Sequence, residues 1–278
     1  MLCLTRVGSE APPTRSLTRS AHSAPLTRSS PFLPSLVHPS AAPLRSFVGL
    51  LGPCSLAPPS APRTQVLETH LAIAENNTSP PVLAPQTLVS CATNPNHCGG
   101  TGGCGGATAE IGFNYTSQNG IALSTDYPYV AQNSPCVKYN ATVTCTGYTK
   151  IAINSASAME TTLATKGPVA VVVSSNWATY GGGIFKDGCL SWLGSCTLDH
   201  VVVVVGYSPD YWLVRNSWGG KWGEAGYIRL TRANDNVTYT NDNPAEGNAC
   251  KPFPAKQSVM GESGVLFDAS YPTGVTRG

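Results

Sequence analysis

The chain has 278 residues, 41% of them hydrophobic, and a formal net charge of +2 at pH 7. This length and apolar content are enough for one large domain or two packed lobes. No apolar run approaches the ~18 residues of a membrane-spanning helix, and the small net charge gives no indication of nucleic-acid binding.

Residues 1–63 differ in composition from the rest of the chain. They hold 11 of the 23 prolines, six arginines and one acid, Glu10, which gives this segment a net charge of +5 and leaves −3 for the remaining 215 residues. Such a segment buries too little apolar surface to offset its ordering entropy, so we expect it to be disordered. An alternative is that residues 1–63 are not genuine coding sequence.

Cysteines and glycosylation sequons together indicate an oxidising compartment. Ten cysteines are more than a reduced cytosolic protein usually carries, so disulfides are expected. Four stretches contain the Asn-x-Ser/Thr sequon, and the candidate glycosylation sites are Asn76, Asn77, Asn114, Asn140 and Asn236.

Regular structure is predicted from Thr64 onward. The stretch Thr64-Gln-Val-Leu-Glu-Thr-His-Leu-Ala-Ile-Ala has an apolar pattern compatible with a helix.

A glycine-rich stretch follows later in the chain, His97-Cys-Gly-Gly-Thr-Gly-Gly-Cys-Gly-Gly106. Gly105 and Gly106 in it are candidate substrate-binding residues, because a bound peptide must approach the backbone closely. The structural alternative is a zinc site of His97, Cys98 and Cys104, which offers three ligands at unusual spacing.

The second half of the chain predicts strands. A Gly-Pro turn at Gly167 leads into a valine-rich strand, Val201 to Val205 reads as a buried strand, and Tyr211 to Arg215 reads as another. A hairpin of the last two strands brings His200 and Asn216 together. An imidazole that takes a proton, held by a side-chain amide, is what a thiol nucleophile requires.

These two segments carry a resemblance to a known family. Asp199-His followed by valines and Gly-Tyr, and Asn216-Ser-Trp-Gly-Gly-Lys-Trp-Gly, resemble the His and Asn motifs of the papain-like cysteine peptidases, in particular the cathepsin L-like members. Leu83-Ala-Pro-Gln-Thr-Leu-Val-Ser-Cys91 and Ser263-Gly-Val-Leu-Phe-Asp-Ala-Ser-Tyr-Pro272 are similar to further family segments. The resemblance covers residues 64–272.

The resemblance implies a papain-like α+β fold with two lobes and the site in the cleft between them. Residues 64–278 then form the peptidase domain, with a helical lobe over residues 64–150 whose start is truncated, and a β-rich, barrel-like lobe over residues 151–278. His200 is the implied general base and Asn216 the residue that orients it. No cofactor and no metal are implied.

The family's nucleophile is missing from its expected place. Counting back from Glu68, the position of the family's cysteine falls on Pro58, and no Gln-x-x-x-Cys motif precedes it. Cys54 is the thiol near this position, and it lies within the ~130 to 150 residues from His200 that the family shows. The prolines after Cys54 cannot start a helix beneath it, so it is a weak candidate.

The resemblance also suggests disulfide pairs. It implies a Cys91–Cys136 bridge, whereas the expected partner of Cys104 is absent. Two further pairings stay open: Cys98 and Cys145 with each other or with Cys104, and Cys189 or Cys196 with Cys250, because Ser263 stands where the family usually has a cysteine.

The resemblance implies roles for three further residues. Trp218 and Trp222 are expected to shield the His200–Asn216 pair from water, although both also fit as plain core aromatics. Trp218 is in addition a candidate substrate-binding residue. Asp268 falls at the base of the family's second substrate pocket, where a carboxylate would accept Arg or Lys as well as large apolar groups. A surface aspartate in a turn is the alternative.

Three functions follow from these observations. The first is a cysteine endopeptidase whose true start was lost during assembly of the chain. The second is a catalytically inactive relative that binds peptides or partners, expected if residues 1–63 are genuine, and the third is hydrolysis through Cys54. The expected partners are peptide or protein substrates and cystatin-like inhibitors or a propeptide. The chain is expected to be a monomer in a lysosome, a vacuole or the extracellular space.

Overall fold

The computed structural model describes residues 62–189 and 193–278. Its α-helices are α1 (Pro62–Glu75), α2 (Pro85–Cys91), α3 (Ala109–Asn119) and α4 (Ala156–Thr165). Its strands are β1 (Val143–Thr144), β2 (Gly147–Lys150), β3 (Val169–Val173), β4 (Ile184–Phe185), β5 (His200–Tyr207), β6 (Tyr211–Arg215), β7 (Tyr227–Thr231), β8 (Thr238–Asn241), β9 (Gln257–Met260), β10 (Asp268–Thr273) and β11 (Thr276–Arg277). The predicted α+β class is therefore confirmed. No described helix could cross a membrane.

A seven-stranded sheet with the order β2-β10-β3-β5-β6-β7-β4 dominates the second half of the chain. Neighbouring strands are antiparallel except for β4 and β7. The predicted hairpin is present as β5 and β6, with an irregularity in register between Val204 and Gly206. β2 belongs to this sheet, although residues up to 150 were expected in the helical lobe.

Helix α1 lies at the centre of the helical part of the structure. Val66, Leu67 and Leu71 are completely buried, whereas Ile73, which the apolar pattern also included, is 54% exposed. The described part of this helix includes Pro62 and Arg63, which precede the predicted Thr64. α1 contacts α3 and also β3, β5 and β10, so it joins the helices to the sheet.

The disulfides differ from the expected pairings at two places. The Cys91–Cys136 bridge is present. Cys250 pairs with Cys98, and Cys189 pairs with Cys196. The expectation that Cys189 or Cys196 would pair with Cys250 was therefore wrong, as was the pairing of Cys98 with Cys145 or Cys104. The reason is that residues 242–251 return to the glycine-rich stretch, where the amide of Gly99 donates to the carbonyl of Ala249 at 2.9 Å.

The remaining two cysteines of the described ranges have different states. Cys104 is disulfide-bonded. Cys145 is a free, buried thiol whose Sγ lies 3.4 Å from the carbonyl oxygen of Phe113. The zinc alternative fails because Cys98 and Cys104, two of its three proposed ligands, are in disulfides.

Candidate active site

The hairpin of β5 and β6 places an imidazole beside a side-chain amide. His200 is the first residue of β5 and Asn216 directly follows β6. Nε2 of His200 lies 2.9 Å from Oδ1 of Asn216. The antiparallel register pairs Val203 with Arg215, so the two side chains project from adjacent ends of neighbouring strands.

The hydrogen bonds of Asn216 define the tautomer of the neutral imidazole. Its Oδ1 also accepts a hydrogen bond from the backbone amide of Ser217 at 2.7 Å. Because this oxygen accepts both bonds, Nε2 of His200 carries a hydrogen and donates it. In the neutral ring, Nδ1 then holds the lone pair and can accept a proton.

Burial favours the neutral form of the imidazole. Removal of water lowers the pKa of His200 below its usual value, while the hydrogen bond that the ring donates to Asn216 and the charge of Asp199 raise it and oppose that effect. Desolvation is the largest of these causes. The ring is therefore neutral at pH 7 and available as a general base.

Three indoles form a cluster beside His200, and two of them contact its ring. The ring of Trp218 is 5.2 Å from that of His200, and the ring of Trp177 is 6.2 Å away and nearly perpendicular. Trp222 packs edge-on against Trp218 at 5.1 Å. Asn216 is 5% exposed beneath them. Apolar cover of this kind excludes water and strengthens the hydrogen bond between the two side chains.

A cleft of about 170 Å³ opens beside His200. One wall comes from the start of α1 and the glycine-rich stretch, and the other from the start of β5 and from Ser217. The lining residues are Pro62, Arg63, Gly99, Gly106, Ala107, Asp199, His200, Val201, Ser217, Glu246 and Gly247. His200, the predicted general base, is one of the residues that line this cleft.

The two candidate glycines have different positions. Gly106 lines the cleft, and its φ of +82° is one that residues with a Cβ rarely adopt. Gly105 is not among the lining residues; its carbonyl accepts a hydrogen bond from the amide of Thr101 at 3.2 Å. Of the two, Gly106 is therefore the residue placed to present backbone groups to a ligand.

Sequence reasoning did not find Glu246 and Gly247. Both belong to the segment of residues 242–251 between β8 and β9, which we call the strap. The signal in the sequence was weak: this stretch looks like an ordinary polar loop, and its position depends on the pairing of Cys250 with Cys98, 152 residues away.

None of the described cysteines can act as the nucleophile. Seven are in disulfides, and the thiol of Cys145 contacts Phe113 in the core of the helical part. Burial also raises the pKa of Cys145, which disfavours the reactive thiolate. Cys54, the weak candidate of the sequence, lies outside the described residues.

Asp268 has an internal partner. Its carboxylate is 3% exposed and lies 2.5 Å from the ammonium of Lys150, which is also 3.3 Å from Glu110. Burial and the nearby charge of Glu110 raise the pKa of Asp268 to about 6, against the opposing effect of Lys150. A substrate cation would have to displace Lys150, so the role expected for Asp268 stays a prediction.

The candidate glycosylation sites lie at the surface. Asn76, Asn114, Asn140 and Asn236 are exposed, and Asn77 is half-buried with its side-chain oxygen accepting a hydrogen bond from the amide of Ser79. Exposure is necessary for glycan attachment but does not demonstrate it.

Comparison with known proteins shows which family the chain resembles. A family model described as papain family cysteine protease matches residues 60–247. A cathepsin L-like proteinase of Phaedon cochleariae is 41% identical over 178 residues, which cover 61% of this chain and 52% of that protein. Cathepsin S of Rattus norvegicus is 37% identical over 166 residues, 55% of this chain and 48% of the relative. The chain thus spans about half the length of these curated relatives.

Solved structures show the same fold. The bromelain protease from Ananas comosus, solved in complex with the E64 inhibitor, superimposes with a TM-score of 0.59 at 27% identity, over 81% of this chain and 90% of that chain. Digestive procathepsin L 3 of Tenebrio molitor larval midgut gives a TM-score of 0.57 at 28% identity, over 76% of this chain and 61% of that one. Two independent comparisons, by sequence and by structure, therefore agree.

Proposed function

Because the chain belongs to the papain family of cysteine proteases, we propose that its cleft binds peptides and hydrolyses them with a thiol nucleophile that His200 activates. The observation that carries this proposal is the 2.9 Å hydrogen bond from Nε2 of His200 to Oδ1 of Asn216. It fixes the tautomer in which Nδ1 is the proton acceptor. An enzyme that abstracts the proton of a thiol needs this arrangement.

The proposed reaction uses His200 twice. Nδ1 takes the thiol proton, and the thiolate attacks the peptide carbonyl carbon. The imidazolium then gives its proton to the leaving amine as the C–N bond breaks, which leaves an acyl thioester. Water, deprotonated by Nδ1, attacks the thioester and releases the carboxylic acid, and the proton returns to the thiol. Asn216 keeps the ring in position throughout.

The thiol itself lies outside the described residues in this proposal, with Cys54 as the candidate. Alkylation tests this at a pH where ordinary thiols react slowly. Iodoacetamide at pH 6 labels a thiolate paired with an imidazolium much faster than Cys145, whose pKa is raised by burial. The proposal expects one rapidly labelled cysteine, located by peptide mass mapping, and hydrolysis lost in proportion to the labelling.

A matched variant sharpens this test. Changing Cys54→Ser should remove both the rapid labelling and the hydrolysis, whereas Cys145→Ser should leave both unchanged. Hydrolysis that persists after complete alkylation would contradict a thiol mechanism.

The second candidate function is a peptide-binding protein without catalysis. It is favoured by one observation, that seven of the eight cysteines in the described ranges are in disulfides and the eighth is buried away from His200. This alternative predicts that peptides bind with the same affinity before and after alkylation and that no product forms. Peptide binding measured together with product formation separates it from the enzyme.

Cellular context and specificity complete the proposal. The disulfides suit a lysosome, a vacuole or the extracellular space. Peptides or proteins are the proposed substrates, and cystatin-like inhibitors or a propeptide the proposed regulators. We also propose that Asp268 lets the second substrate pocket accept Arg or Lys. The variant Asp268→Ala should then cleave Arg-containing substrates more poorly than the parent protein.

A further inference from the structure

The strap, residues 242–251, is fastened to the glycine-rich wall of the cleft. Cys250 forms a disulfide with Cys98. Two backbone hydrogen bonds flank this bridge: the amide of Gly99 donates to Ala249 at 2.9 Å, and the amide of Lys251 donates to Asn96 at 2.8 Å. A covalent bond with a hydrogen bond on each side holds this end of the strap against one wall.

The strap also reaches the opposite wall. A Cβ atom added to Gly247 would lie 2.0 Å from the carbonyl oxygen of Leu198, and one added to Gly99 would lie 2.5 Å from the carbonyl oxygen of Gly247. No side chain fits at either position, so the strap backbone at Gly247 sits directly between the glycine-rich stretch and the residues that precede β5. One end of the cleft beside His200 is therefore bridged.

The bridged end is negatively charged. Glu246 lines the cleft, and its exposed carboxylate has no hydrogen bond or ion pair with any described residue. Asp199 lines the cleft as well, and one of its oxygens accepts a hydrogen bond from the amide of Ser175 at 2.8 Å. Arg63, the cation among the lining residues, donates to the carbonyl oxygen of Ala107. This carbonyl is neutral, so Arg63 keeps its positive charge, and the described lining holds two carboxylates and one cation.

We propose that the strap makes the cleft a site for the free N-terminus of a peptide, with Glu246 pairing with its ammonium group. This inference rests on the proposed function and names its substrate class. A bridged cleft stops a long chain from running through, so a bound peptide must end there. A chain end that carries a positive charge pairs with the carboxylate, whereas a C-terminal carboxylate is repelled.

Two peptides that differ in one group test the proposal. Both have the same sequence of six residues and an amidated C-terminus; one has a free N-terminus and the other is acetylated. Calorimetric titration of the full chain carrying His200→Ala, in which turnover is suppressed, gives the dissociation constants. The free peptide should bind about tenfold more tightly, the usual worth of a hydrogen bond to a charged group.

A pair of variants assigns the effect to the strap. Glu246→Gln should remove most of the preference for the free N-terminus. Asp210→Asn removes the same charge in the exposed turn between β5 and β6, at the opposite end of β5 from His200, and should retain the full preference. Equal affinities for the two peptides, no binding of either, or an undiminished preference in Glu246→Gln would overturn the proposal.

Hydrolysis by the unmodified chain separates this proposal from the proposed function. If both peptides are cleaved equally, the cleft is a peptidase site but the strap does not select the N-terminus. If neither is cleaved while the free peptide still binds about tenfold more tightly, the substrate class stands and catalysis fails. Cleavage of the free peptide near its N-terminus, with little cleavage of the acetylated one, supports both.

Discussion

Nε2 of His200 and Oδ1 of Asn216 lie 2.9 Å apart because a hairpin turn brings the start of β5 beside the end of β6. The turn closes with a hydrogen bond from the amide of Ser208 to the carbonyl of Tyr211 at 2.9 Å. The interaction of the two side chains is therefore determined by strand register, and its chemical consequences can be tested one residue at a time.

The first prediction concerns the basicity of His200. Replacing its neutral partner by a carboxylate, Asn216→Asp, should stabilise the imidazolium and raise the pKa of His200 from its lowered value in the parent protein. NMR titration of the ring protons measures this directly and requires no catalytic activity. Asn216→Ala should leave the ring without an acceptor and lower any hydrolysis by about 100-fold. An unchanged His200 pKa in Asn216→Asp would show that the two side chains do not interact in solution.

The second prediction concerns Glu68 in α1 and the dependence of stability on pH. Burial raises the pKa of Glu68 to about 7, although its carboxylate accepts a hydrogen bond from the amide of Leu83 at 2.8 Å and lies near the charge of Arg215. The folded state thus holds this proton more tightly than the unfolded state. Its stabilising effect is present below pH 4.5 and is lost as the pH rises to about 7.

Glu68→Gln removes this dependence and keeps an oxygen that can accept from Leu83. The variant should be more stable than the parent above pH 7, by at most about 3 kcal/mol, and equally stable near pH 4.5. Urea unfolding at a series of pH values provides the comparison. If parent and variant lose stability in parallel between pH 5 and 7, Glu68 is not the group responsible.

The third prediction concerns the ion pair of Lys150 and Asp268. Lys150→Met leaves the 3% exposed carboxylate of Asp268 without its counter-ion. The free energy of unfolding at pH 7.5 should fall by about 2 kcal/mol. The loss stays moderate because Lys150 is half-exposed and water screens its charge. Below pH 5 the loss should shrink, because Asp268 becomes neutral. The control is Lys166→Met, at an exposed position without an ion pair in the described structure. Equal effects of both variants would show that the pair contributes nothing.

The fourth prediction compares two disulfides of very different span. Cys98 and Cys250 are 152 residues apart, whereas Cys189 and Cys196 are separated by seven. Chain entropy predicts a larger loss of stability when the long-range bridge is removed. The double variant Cys98→Ser/Cys250→Ser should lose about 4 kcal/mol or more of its free energy of unfolding. The double variant Cys189→Ser/Cys196→Ser should lose about 2 kcal/mol. Thermal unfolding ranks the two variants.

The long-range bridge also fastens the strap. Opening it should raise the affinity of the acetylated peptide toward that of the free one, whereas opening the short bridge should not. A preference for the free N-terminus that survives the loss of the Cys98–Cys250 bridge would show that the bridge is not what holds the strap across the cleft.

The parts of the fold that the sequence predicts are those set by local patterns. The run Val201–Val205 and the stretch Tyr211–Arg215 define two strands by composition alone, and the short connection between them makes a hairpin the simplest arrangement. His200 and Asn216 flank these strands, so their proximity follows. Helix α1 is predicted in the same way, from the apolar pattern of the residues after Thr64.

The parts that sequence reasoning missed depend on contacts between distant segments. The pairing of Cys250 with Cys98 and the position of Glu246 in the cleft both require the strap to return to the glycine-rich stretch, and no local pattern encodes that path. Lys150 was not recognised as a partner of Asp268, because they meet only where β2 and β10 pair in the sheet. Such placements follow from the packing of the whole domain.

Peptidase activity at this cleft is tested most directly by hydrolysis of the peptide with a free N-terminus by the full chain under mildly reducing conditions, compared with His200→Ala. We expect the parent protein to release product, and His200→Ala to lose at least about 100-fold of this rate while it binds the peptide undiminished. A parent protein that binds the peptide without cleaving it, or a His200→Ala variant that cleaves at the parent rate, would contradict the claim that this cleft is a thiol peptidase site.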